Sequence, residues 1–255
     1  MKSLLVRIFG FPATLIHGDT LVLDRWLWLR KQLPVVRIGA KSLLDVGCGT
    51  GSFTMGAALR GYSALGLSWD ERNQSVARSR AAICGATLAD FAVQDVRYLD
   101  QRSDLIGKFD VVVCCENIEH ILNDRKLMID MAHCLQSGGT LLLTTPNFHF
   151  RPITKGDDGP YLEIENGAHV RRGYTEEVLR NLCASAGLRV EQIGYCSGFM
   201  SQKVTALMRT GSRIHPMLGW ILILPLRVLP LLFDPWIARA THWPGFSITL
   251  IATKS

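Results

Sequence analysis

The stretch LLDVGCGTGSF, Leu43 to Phe53, sets Gly47, Gly49 and Gly51 at alternate positions behind Asp45. A side chain at the turn leaving a strand would hold a ligand away from the backbone, and glycines remove that obstacle. The spacing is G-x-G-x-G. A dinucleotide fingerprint would need glycine where Ser52 stands, and a phosphate loop would end in Gly-Lys-Ser or Gly-Lys-Thr, which is absent. Three alternating glycines after an acid also exceed what a tight turn requires.

Such a loop needs a strand before it and a helix behind it. From Lys41 to Asn147 the runs SLLDVG, SALGLS, ADFAVQ, FDVVVCC and TLLLTTP read as strands. SFTMGAALRG, ERNQSVARSRAAICG and RKLMIDMAHCLQSGG read as helices between some of them, the alternation of parallel strands with crossover helices. TEEVLRNLCASAGL reads as a further helix with Thr175 as its cap, followed by strands RVEQIGY and, after a long excursion, FSITLIATKS. The fold expected is α/β: a doubly wound, Rossmann-like, seven-stranded sheet with an antiparallel last strand and a hydrophobic helical insertion before it. Four regions follow: an N-terminal helical cap, 1–40; a core, 41–209, with a substrate loop at 148–172; the insertion, 210–244; and the last strand, 245–255. The run FDVVVCCENIEH carries the fourth strand into its carboxyl-end loop, where ligands gather in open α/β sheets.

The segment Leu43-Leu44-Asp45-Val46-Gly47-Cys48-Gly49-Thr50-Gly51 resembles the first motif of the class I S-adenosylmethionine-dependent methyltransferases, with later motifs in that family's order. The resemblance spans residues 41–195 and the final strand. It implies S-adenosylmethionine as cofactor, with Gly47, Cys48, Gly49 and Gly51 against its methionine and ribose and Asp45 orienting the loop and the cofactor's amino group. The family places an acid at the end of the second strand to receive the ribose hydroxyls, whereas Ser68 stands there. Asp70 is the substitute, with Trp69 as an apolar wall; a helix N-terminal role suits Asp70 equally. Asp95, with Val96, matches the family's adenine contact, and Glu116 falls in the loop after the fourth strand.

Displacement at a sulfonium demands alignment of nucleophile, methyl carbon and sulfur, and removal of a proton from a neutral acceptor. The segment resembles the Glu-x-x-Glu-His form found among small-molecule, quinone and polysaccharide methyltransferases. It makes His120 the leading base, with Glu119 orienting it or the substrate. His149 and His169 compete from the substrate loop. No metal is required; Asp157, Asp158, Glu163 and Glu165 read as an exposed loop of mixed charge before a magnesium site.

The net charge of +6 and pI near 9.0 suit nucleic acid or an anionic membrane. Cys115-Glu116-Asn117-Ile118 replaces the Asn-Pro-Pro-Tyr type segment of amino-directed nucleic-acid enzymes, which disfavours an RNA substrate and leaves a small-molecule, saccharide or lipid-linked acceptor, methylated on oxygen. A catalytically idle cofactor-binding scaffold is the third reading. Seven cysteines without metal-type spacing fit a reducing, cytoplasmic setting. In the insertion, Pro216–Phe233 carries Arg227 as its sole charge, and Pro225 and Pro230 interrupt a helix ladder barely long enough to span. Arg209, Arg213, Arg227 and Arg239 with Trp220, Trp236 and Trp243 suit the headgroup region, so 216–236 is expected to touch the membrane's inner face, with a lid or a homodimer surface as alternatives.

Overall fold

The computed structural model describes residues 2–16, 20–215, 219 and 223–255. Helices α1 (Lys2–Phe9), α2 (Phe11–Ile16) and α3 (Thr20–Gln32) precede the sheet. The strands are β1 (Ser42–Val46), β2 (Ser63–Ser68), β3 (Ala89–Val93), β4 (Phe109–Cys115), β5 (Leu135–Pro146), β6 (Leu188–Cys196) and β7 (Ser247–Lys254). Helices α4 (Ser52–Ala58), α5 (Glu71–Cys84), α6 (Asp124–Cys134) and α7 (Glu176–Ser185) connect them, and α8 (Phe199–Ile214) and α9 (Val228–Thr241) lie between β6 and β7.

The strand order is β3-β2-β1-β4-β5-β7-β6, parallel through β5, with β7 antiparallel to both neighbours. All seven strands stand where the alternating apolar runs put them. Between β1 and β4 the order of strands reverses, so a crevice opens at their carboxyl ends. The period of two along β4 supplies both faces of the core: Val112 and Cys114 pack with α6 and α7, while Val111, Val113 and Cys115 pack under α3 and α4. Two adjacent cysteines thus serve as small apolar side chains on opposite faces.

Helix α6 ends at Cys134, four residues before the glycine pair that closes its apolar run, because Leu135 onward is extended into β5. Asp70 accepts from the Arg72 amide and Thr175 from the Val178 amide, capping α5 and α7. Pro225 opens a short 3-10 turn and Pro230 sits in the first turn of α9, where a missing amide costs little; the interior proline is Pro235. The expected interruption at Pro230 is therefore a helix start. Pro216, Met217, Leu218, Trp220, Ile221 and Leu222 lie outside the described residues. Among the described residues no helix is long and apolar enough to cross a membrane.

Candidate active site

A cavity of about 370 Å³ occupies the crevice at the carboxyl ends of β1, β2 and β4. Of the residues expected there, Gly47, Gly49, Ser68, Trp69, Asp95, Val96, Glu116 and His120 line it. Asn73, Arg97, Asn117, Ile121, Glu165, Asn166 and Gly167 join them.

The glycines divide by role. A Cβ on Gly47 would overlap the Asn117 side chain, so Gly47 admits both the cavity and that neighbour. Beside Gly49 a Cβ would meet no protein atom within 4 Å, which leaves open space for a ligand. Gly51 does not line the cavity: its Cβ would fall 2.5 Å from Phe91 Cε1 and 2.8 Å from Ala77 Cβ, so its bareness serves packing of α4 against β3 and α5. Cys48 also turns inward, its Sγ 3.6 Å from Gln74 Nε2, and burial pushes its thiol up. Neither residue lines the cavity, where both were expected against the cofactor.

Asp45 is buried beneath the loop and accepts from Thr54 Oγ1 at 2.7 Å, tying the end of β1 to α4. Burial raises its carboxyl to about 6. It orients the loop from below and does not line the cavity. Asp70 likewise stays out of the lining, its Oδ1 accepting from the Arg72 amide at the α5 cap. Ser68 itself is buried and lines the cavity beside the exposed Trp69. Asp95 faces the cavity with both oxygens held by Arg97, whose hydrogen bonds keep the carboxyl below its usual range. Arg97 Nη1 then reaches Glu165 Oε2 at 2.8 Å, fastening the loop 148–172 across the cavity mouth.

The loop after β4 is the reactive end. Glu116 has φ +49°, a conformation that costs a non-glycine residue about 1–3 kcal/mol and persists where function requires it. Its Oε2 pairs with Arg25 of α3 at 2.9 Å. Glu116 Oε1, Asn117 Nδ2, Glu119 Oε1 and His120 Nδ1 are all buried without a hydrogen-bond partner. Four orphaned atoms from five consecutive residues are costly in a folded chain, at about 1–3 kcal/mol each, unless a ligand receives them. Glu119 is fully buried, with Thr145 donating to its Oε2 at 3.1 Å; burial, then the charge of Glu116, raises its carboxyl far above the usual range. Its Oε1 lies 4.0 Å from Nε2 of both His120 and His169, whose rings meet edge to face at 4.6 Å. Burial, then His120, lowers His169 to about 4, so this imidazole is neutral at pH 7. Donor atoms of Glu119, His120 and His169 all fall within 4.8 Å of one another, a spacing that one cation could also bridge. His149 lies apart, in a second cavity. The four loop acids do not gather: Asp157 pairs with Arg209, Asp158 with Arg172 and Glu165 with Arg97, while Glu163 is exposed.

A family model described as a methyltransferase domain matches residues 25–193. The chain belongs to the methyltransferase domain family. Among curated relatives, the ubiquinone biosynthesis O-methyltransferase of Marinobacter nauticus is 32% identical over 112 residues, covering 44% of this chain and 47% of that protein. The chain thus spans about half the length of the first curated relatives it matches. Two solved structures share the fold. An S-adenosylmethionine dependent methyltransferase from Mesorhizobium loti matches with TM-score 0.58 and 20% identity, over 94% of this chain and all of that one. The [4+2]-cyclase SpnF matches with TM-score 0.60 and 20% identity, over 91% of this chain and 81% of that one. Their identities speak to fold alone.

Proposed function

We infer that the protein is an S-adenosylmethionine-dependent methyltransferase acting on a hydroxyl of a small hydrophobic or lipid-linked acceptor. The observation that carries this reading is the run of orphaned polar atoms from Glu116 to His120 at the edge of a cavity floored by Gly47 and Gly49. The residues present fit the cofactor: bare backbone at Gly49, a polar hydroxyl at Ser68, a flat apolar wall at Trp69 and the amide of Asn73. Bound there, S-adenosylmethionine would supply an electrophilic methyl group. The protein's own part is to hold the acceptor and take its proton. His120 would take that step, a reading supported by its unpartnered Nδ1 at the cavity edge and its Nε2 4.0 Å from Glu119 Oε1. Glu119, its carboxyl raised far above the usual range by burial, lies 4.0 Å from both imidazoles. Arg25 holds Glu116, so the N-terminal helices take part in the site.

Oxygen as the methylated atom follows from the curated relatives' named activity and from a histidine base, which a hydroxyl needs. A lipid-linked acceptor is supported by α9, whose Leu232, Phe233 and Trp236 are exposed, Trp236 by 70%. Trp243 does not belong to that surface: it donates to Gln202 and stacks under Arg151. Nor does Arg227, which is buried.

The test supplies methyl-labelled S-adenosylmethionine to the protein with total extract of the source cells and partitions the product. Label in the organic phase supports the hydrophobic acceptor; label in the aqueous phase alone replaces it with a soluble or saccharide one. Cofactor binding without transfer to either phase favours the idle scaffold, for which the serine at position 68 speaks.

A further inference from the structure

A second cavity, of about 810 Å³, adjoins the Arg25–Glu116 pair through Asp24. Helix α3 turns Asp24, Leu27, Trp28 and Lys31 toward it, the i, i+3, i+4, i+7 spacing of one helix face. Opposite stand Pro230 and Leu231 of α9, and most of the wall lies outside residues 25–193, beyond the part shared with the family.

Three observations mark this space as built for a ligand. Asp24 Oδ2 and Ser201 Oγ both belong to lining residues and both are buried without a hydrogen bond of full geometry, the Ser197 and Ser201 hydroxyls standing beside the Asp24 carboxyl. Ser197 at φ +59° and His242 at φ +50° line the same cavity; the third described non-glycine residue in that region is Glu116, in the cofactor cavity. Left-handed strain of this kind is retained where a site requires it. The volume also falls in the range of about 300–1,000 Å³ typical of small-molecule sites.

The lining selects the ligand's chemistry. Asp234 is already spent, accepting from the backbone amides of Met200 and Ser201 at 2.6 and 3.0 Å. Asp24 is left as the acceptor, set in an apolar surround of Leu27, Trp28, Leu231 and Trp243. A carboxylate or phosphate would meet two acids, while an ammonium group would meet Lys31. A neutral hydroxyl on an apolar body escapes both penalties. We propose that this cavity is the acceptor chamber and takes a hydroxylated apolar molecule, a hydroxyl other than the one His120 deprotonates donating to Asp24 Oδ2 and the rest of the body resting on Trp28. Leu231, 47% exposed at the rim, leads to exposed Val228 and Leu232, a path for an apolar tail.

The assignment of this ligand as the methyl acceptor rests on the methyltransferase reading, whereas its binding does not. The test is titration calorimetry with 2-naphthol as probe, against its methyl ether and against 2-naphthoate, on the full chain. The expected result is saturable binding of 2-naphthol to the parent, weakened about tenfold or more by Asp24→Ala, with the ether and the carboxylate binding no better than 2-naphthol binds that variant. Leu231→Glu, on an exposed turn, is expected to weaken the probe several-fold with an unchanged melting temperature, which guards against a folding defect in Asp24→Ala. Both variants keep the parent's affinity for S-adenosylmethionine. Absence of saturable binding, equal binding to parent and Asp24→Ala, or competition between the probe and S-adenosylmethionine overturns the proposal. Loss of cofactor binding by the parent alone sinks the methyltransferase reading and leaves the chamber standing.

Discussion

A methyl group added at Gly49 and one added at Gly51 meet different surroundings, although both residues hold positive φ, +52° and +78°. The backbone penalty for a non-glycine residue there is about 1–2 kcal/mol. Gly49→Ala should cost the fold about that much and no more, while cofactor affinity falls because the methyl occupies open cavity. Gly51→Ala should add overpacking against Phe91 and lose about 3 kcal/mol or more in urea unfolding. Equal stability losses for the two would refute the division of roles. Asp45 makes a second prediction at this scale. Its carboxyl is raised in the folded chain, so the stability it contributes is complete below about pH 4 and is lost as pH rises through about 6. Carrying the charged form at neutral pH costs about 3 kcal/mol. Asp45→Asn keeps an acceptor for Thr54, and its stability relative to the parent should climb by up to that amount between pH 4 and pH 8. A thermal-unfolding difference that stays flat with pH contradicts it.

Among the elements, the loop 148–172 is fastened by Arg97, which links Asp95 on one side to Glu165 on the other. The pair is part-exposed, so Arg97→Ala should change stability by less than about 1 kcal/mol. Its effect belongs to motion: amides of 161–170 should exchange faster with deuterium, and unchanged exchange would show that other contacts close the mouth. The strands were legible from sequence because each is an apolar run bounded by turn residues, and the parallel order keeps those runs buried on both faces. Asp70 was legible in type but not in role, since a cap and a ribose acceptor carry the same residue at the same place. The parts that sequence missed join distant elements. Arg25 reaches Glu116 across the whole first half of the domain, Asn117 explains Gly47 only once β1 and β4 are neighbours, and nothing local announces that Cys48 faces Gln74.

For the whole molecule, one doubly wound domain carries both cavities along the ends of its sheet, and the segment between β6 and β7 covers the second of them. Helix α9 offers that cavity its Leu231 and solvent its Phe233 and Trp236. A chain with a net charge of +6 should therefore sediment with vesicles containing phosphatidylglycerol at low salt and less at high salt. The double substitution Phe233→Glu with Trp236→Glu should release it; sedimentation indifferent to both changes would return α9 to the role of a lid. The claim on which the rest depends is that the crevice at β1 and β4 holds the cofactor, with its reactive end beside Glu116–His120. Irradiating the protein with methyl-tritiated S-adenosylmethionine and mapping the labelled peptide tests it directly. The account predicts label in peptides that carry Trp69, Asn73 or Glu116–Ile121; label in peptides from Tyr195–Ser201 or His242–Gly245, or none above background, would contradict it.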